Sequence, residues 1–142
     1  MSTRGLFIIG LIVVLAALIF INNRPPAEEV SPAGETAAAQ IERVLQEGKP
    51  AWLFFRTSSC PACVELKRSF DSLQEEYEGR VVFIDINLDD DRNGQLGREY
   101  RIGYVPQTYI INAEGQTTYQ MVGTIPVEEL RSELDKAAES MD

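Results

Sequence analysis

Residues 51–57 (AWLFFRT) form a short apolar run of strand character. From Cys60 onward the pattern becomes helical, with Leu66, Phe70, Leu73 and Tyr77 at spacings of four, three and four. Cys60 and Cys63 sit at this switch, and they are the only two cysteines among 142 residues. A fold that accepts this segment must run a buried strand directly into a long amphipathic helix whose first turn carries both thiols.

That placement already suggests chemistry. At a helix N-terminus the unpaired backbone N–H groups and the helix dipole favour a thiolate. Pro61 falls at the first helical position, where a missing N–H costs nothing. Cys63 lies one turn on, on the same face, within reach of a mixed disulfide formed at Cys60. The bland alternatives are weaker. A structural disulfide closing so short a loop constrains little chain entropy, and a zinc site would have to share its four ligands between chains. The chain has no histidine, which removes Ser-His and Cys-His catalytic pairs and the common His-containing metal sites. No metal or cofactor is expected. A formal net charge of −9 argues against a nucleic-acid partner.

Gly5 to Ile21 holds neither a charge nor a polar side chain. As a helix its seventeen residues would span about 26 Å, near the lower limit for a bilayer core of roughly 30 Å. An uncleaved anchor, a cleavable signal peptide and a buried helix all begin this way. No small-x-small site follows the run, and no polar stripe marks it, so residues 1–23 are expected to be a transmembrane anchor. Arg4 before the run and Arg24 with Glu28 and Glu29 after it weakly favour a cytoplasmic N-terminus and an extracytoplasmic domain. Residues 24–34 (RPPAEEVSPAG) read as a semi-rigid spacer, and residues 35–142 as one domain.

Within that domain the patterns predict helices over 35–47, 60–78 and 91–100 and one opened by Pro126. They predict strands over 51–57, 80–87, 108–112 and 117–122. Ile41, Val44 and Leu45 should face inward from the first helix, and Val127, Leu130, Leu134 and Ala138 from the last. Trp52 should be core. Strands separated by helices imply parallel pairing, and the turn Ala113-Glu114-Gly115-Gln116 adds an antiparallel hairpin. Asp89-Asp90-Asp91 reads as a solvated helix start.

The segment from Glu35 onward resembles the thioredoxin-like superfamily: an α/β fold with a central mixed sheet flanked by helices. The resemblance rests on Cys60-Pro61-Ala62-Cys63 at a strand-to-helix junction and on Val105-Pro106-Gln107-Thr108 before the third strand, 46 residues beyond Cys60. It implies that Pro106 is a cis-proline facing the redox pair, that Val105 contacts substrate, and that Gly123 lines the same groove. Without this likeness Pro106 would read as an ordinary trans turn proline.

Three departures stand out. Ser59 replaces the family's tryptophan before the first cysteine, and Arg56 aligns with a second tryptophan. Phe54 occupies the place of the buried aspartate that handles the proton, and Asp85, one strand over, is the candidate replacement. The resemblance implies a thiol–disulfide oxidoreductase with protein thiols or disulfides as substrates and a membrane or soluble electron donor. Reduction on the extracytoplasmic face is the expected direction, with cytochrome c maturation, known for anchored relatives, or redox homeostasis as the setting. Oxidation of folding secreted proteins is the alternative, as is a redox-sensing or binding module of the same fold.

Overall fold

The computed structural model describes residues 35–140. The expected anchor (1–23) and spacer (24–34) lie outside these residues. Among the described residues no helix is long and apolar enough to cross a membrane.

Helix α1 (Ala37–Glu47) starts where the Thr36 hydroxyl accepts the Ala39 N–H at 3.2 Å and stops at Gly48, whose φ of 63° suits glycine. Strand β1 (Ala51–Arg56) follows, then α2 (Pro61–Glu76), β2 (Val82–Asn87) and a 3₁₀ turn (Asp91–Asn93). Next come the short α3 (Gly94–Glu99), β3 (Gln107–Ile111), β4 (Thr117–Val122) and α4 (Val127–Glu139).

The four strands form one sheet in the order β2-β1-β3-β4. β1 and β2 are parallel, with Phe54 beside Asp85. β3 runs antiparallel to β1 as well as to β4, which corrects the expectation of parallel pairing across every helix. The connection through α3 re-enters the sheet at the end where β2 stops: Asn87 pairs with Arg56, and Gln107 with the adjacent Phe55. It turns at Arg101, which takes the left-handed φ of 51°, and brings the chain back along β1 in the opposite sense.

Strand alternation divides the apolar residues into two layers. On one face Trp52, Phe54 and Phe83 meet Cys63, Leu66, Phe70 and Leu73 of α2 and Leu130, Leu134 and Ala137 of α4. The Phe70 ring sits 4.9 Å from Trp52, 5.4 Å from Phe54 and 5.0 Å from Phe83, centroid to centroid. These tilted and edge-on contacts each add a fraction of a kcal/mol to roughly 1.5 kcal/mol beyond simple burial, and they clamp α2 to the sheet. Trp52 is buried as expected, its indole N–H donating to Thr108 Oγ1 at 3.3 Å. On the other face Leu53, Phe55, Ile84 and Ile86 pack against Ile41 and Val44 of α1 and Leu96 of α3.

Two expected core residues change places. Leu45 is 46% exposed, because it lies at the edge of the α1 stripe and covers the hairpin turn at Gly115. In α4 Ala137 is fully buried, and Ala138 only packs against the margin.

Candidate active site

β1 ends at Arg56, and Cys60 is the N-cap of α2. The N-cap role is one that an acceptor side chain fills, and here sulfur fills it: Cys60 Sγ accepts the backbone N–H of Cys63 at 3.1 Å. Pro61 occupies the first turn, as expected, and is exposed together with the flanking Val64; Ala62 is half-buried. Cys60 and Cys63 are joined as a disulfide, their Cα atoms 5.2 Å apart. Their surroundings differ. Cys60 is half-buried, whereas Cys63 is 2% exposed and belongs to the core layer under α2. An incoming sulfur has access to Cys60 only.

The loop before β3 comes up against the pair from the other side. Cys60 Sγ lies 3.7 Å from the Val105 carbonyl oxygen, and the Val105–Pro106 peptide is cis. Pro106 is buried and its carbonyl accepts the Gly123 N–H at 2.8 Å, so the loop after β4 is tied to the same place. Gly123 has a φ of 102°, and a Cβ there would meet nothing within 4 Å. The backbone conformation therefore calls for glycine, and space does not. Val105 thus lies against Cys60, with Pro106 next to it in the chain and Gly123 tied to Pro106. Tyr104, 78% exposed, stands next to them.

Asp85 lies on the α2 face of the sheet, but it is not a solitary carboxylate. Arg56 Nε and Nη2 donate to its two oxygens at 2.6 and 3.1 Å, and Lys67 of α2 approaches Oδ2 at 3.8 Å. Phe54, fully buried, fills the neighbouring register position. Arg56, where the resemblance expects an aromatic ring, serves as the ion-pair partner of Asp85.

The acidic corner divides its work. Asp90 closes the turn expected of it, accepting the Arg92 N–H at 3.0 Å. Asp89 instead accepts the backbone N–H of Ser58 at 2.6 Å, two residues before Cys60. Sequence reading missed this contact, although one signal pointed to it: loops leaving the same end of two adjacent parallel strands are neighbours. Among the described residues no group of three or more Cys, Asp or Glu side chains could hold a metal ion.

The thioredoxin-like domain family model matches residues 37–138. The chain belongs to that family. A thiol:disulfide interchange protein, TxlA of Synechococcus elongatus, is 25% identical over 138 residues, covering 96% of this chain and 72% of its own length. The chloroplastic thioredoxin-like protein HCF164 of Arabidopsis thaliana is 28% identical over 120 residues, and the match spans 83% of this chain but only 46% of that protein. Among solved structures, a thioredoxin-2 described as a component of malaria parasite protein secretion machinery superimposes with a TM-score of 0.57. The match has 19% identity over 62% of this chain and 82% of that one, a likeness of fold. Family and site agree: this is a thioredoxin-like protein-disulfide oxidoreductase with Cys60 and Cys63 as its pair.

Proposed function

We propose that this chain is a membrane-anchored reductant of protein disulfides, with residues 5–21 as the anchor, the domain on the extracytoplasmic face and Cys60 as the attacking sulfur. One observation carries the mechanism: Cys60 Sγ accepts an amide N–H at the start of α2 while Cys63 is buried behind it. In the reduced protein that amide and the helix dipole stabilise a Cys60 thiolate. The thiolate attacks one sulfur of a substrate disulfide, and the other substrate sulfur leaves as a thiolate and takes a proton. Cys63 then gives up its proton and attacks Cys60 Sγ, releasing the second substrate thiol. Two electrons pass to the substrate, and the Cys60–Cys63 disulfide remains.

Asp85 is the acceptor of the Cys63 proton in this reading, supported by its position beside Phe54 on the α2 face. Val105, Pro106 and Gly123 form the groove wall for the substrate chain, and exposed Tyr104 and Val64 supply apolar contact around it. A donor in or beside the membrane restores the thiols, and cytochrome c maturation is one setting that such a reductant suits by analogy. The anchor is supported by the uncharged run itself.

Thiol trapping of the full-length protein in intact cells tests the direction. A reductant should be found mostly with both thiols reduced, and protease added outside the membrane should remove the domain. A pair oxidised at steady state would reverse the direction, and a protected domain would reverse the topology.

A further inference from the structure

The turn that delivers Cys60 to the start of α2 is held from the side by the loop after β2. Asp89 Oδ2 accepts the Ser58 N–H at 2.6 Å, and the Ser58 hydroxyl accepts from Asn87 Nδ2 at 3.2 Å. Asn87 Oδ1 accepts the backbone N–H of Asp89 at 3.1 Å, which fixes the loop carrying the carboxylate. The Asn87 carbonyl is in turn held by the side chain of Asn93 at 2.8 Å, and Asn93 is buried. The Leu88 N–H donates to the Arg56 carbonyl at 2.8 Å, closing the seam from below. Although exposed, Asp89 is thus the outer end of a bonded chain that begins in the interior. Its carboxyl is held below the ordinary range, chiefly by the Ser58 backbone N–H.

We propose that Asp89 is a positioning residue for disulfide exchange: by gripping the Ser58 N–H it fixes the turn that sets Cys60 Sγ against the first amides of α2. This rests on Cys60 being the nucleophile. A hydrogen bond tolerates only a few tenths of an ångström before it weakens. A turn released at Ser58 would therefore let the sulfur drift from the Cys63 N–H. The negative charge of Asp89 works in the other direction, since a nearby anion disfavours a thiolate. Positioning and charge have opposite signs, so variants can separate them.

Full-length protein, reduced and treated with iodoacetamide across a pH series, gives the readout. Asp89→Ala removes both acceptor and charge; Asp89→Asn keeps an acceptor and removes the charge. Asp89→Ala should slow alkylation of Cys60 near neutral pH by about three- to tenfold, the scale of one lost hydrogen bond, with its pH midpoint moved upward. Asp89→Asn should match or exceed the parent. Asn87→Ala, which keeps the charge but unties Ser58 and the loop, should slow alkylation in the same direction as Asp89→Ala. Equal rates for the two Asp89 variants, whether slower, faster or at the parent value, overturn the proposal. Peptide mapping of the label keeps the underlying reading separate. Label on Cys63 of the parent protein would overturn the choice of nucleophile, whatever the Asp89 variants do.

Discussion

The backbone N–H of Cys63 points at Cys60 Sγ from 3.1 Å, while the Cys63 side chain itself is 2% exposed. One cysteine thus supplies an amide to stabilise the other's sulfur and keeps its own sulfur out of reach of a substrate. In the proposed mechanism this asymmetry gives Cys60 the attack and Cys63 the resolution. Cys63→Ser should accumulate a mixed disulfide between Cys60 and substrate, and Cys60→Ser should accumulate none. Non-reducing electrophoresis with mass mapping would read this, and equal trapping by both variants would refute the assignment.

Arg56 and Asp85 set up a second test. A proton leaving Cys63 for Asp85 has to compete with a guanidinium that already occupies both carboxylate oxygens. Asp85→Asn should slow resolution of the mixed disulfide by roughly a hundredfold, at the low end of what a positioned base contributes. Arg56→Gln keeps the carboxylate and should not slow it. Equal slowing in both variants would mean that the ion pair shapes the site and that Asp85 takes no proton.

Much of this site was legible from local pattern. The change of period at Cys60, Pro61 in the first turn and the Leu66–Tyr77 stripe fix the strand-to-helix junction because each is a short-range signal. The positions of Val105 and Pro106 came from resemblance; nothing in their neighbourhood says that they face Cys60. The direction of β3 was lost because a helical stretch between two strands looks like a crossover in sequence, and no local signal shows that the chain re-enters the sheet at the end where β2 stops. Leu45 was misplaced because helical spacing does not reveal that a hairpin turn lies over the stripe's edge. Asp89 was read as part of a helix start because its partner lies 31 residues earlier in the chain.

Tyr77 predicts an alkaline limit to stability. Its ring is buried at the end of α2, and its hydroxyl bonds Asp135 at 2.8 Å and the Arg131 carbonyl at 3.1 Å. Burial first, then the Asp135 bond, push the phenol up from 10.0 to about 12. The raised value means that the stabilisation is complete below the unfolded value and disappears as pH rises through the folded one. Denaturant titrations should show stability falling between pH 10 and about 12, by roughly 2–3 kcal/mol at most. Tyr77→Phe should start about 1 kcal/mol less stable for the lost hydrogen bond and lack that part of the decline. An unchanged alkaline slope in the variant would remove Tyr77 from the account.

The reduction potential decides between reductant and oxidant. Pro61 and Val105 resemble oxidising members of the superfamily, which pair a proline after the first cysteine with valine before the cis-proline. The strongest oxidants owe their poise to extra stabilisation of the reduced thiolate by a histidine between the cysteines. Here that position is Ala62, whose methyl group carries no charge and donates no hydrogen bond. Cys60 is left with the Cys63 amide and the α2 dipole. A less stabilised thiolate makes a less oxidising disulfide. The expected potential is on the order of −230 mV, between thioredoxin near −270 mV and protein disulfide isomerase near −180 mV. Ala62→His should raise it toward the oxidising end by adding a cationic neighbour to the thiolate. Equilibration against glutathione buffers, with alkylation to count thiols, measures both proteins. A parent value above about −150 mV would sink the reductant reading and make this chain an oxidant of folding proteins.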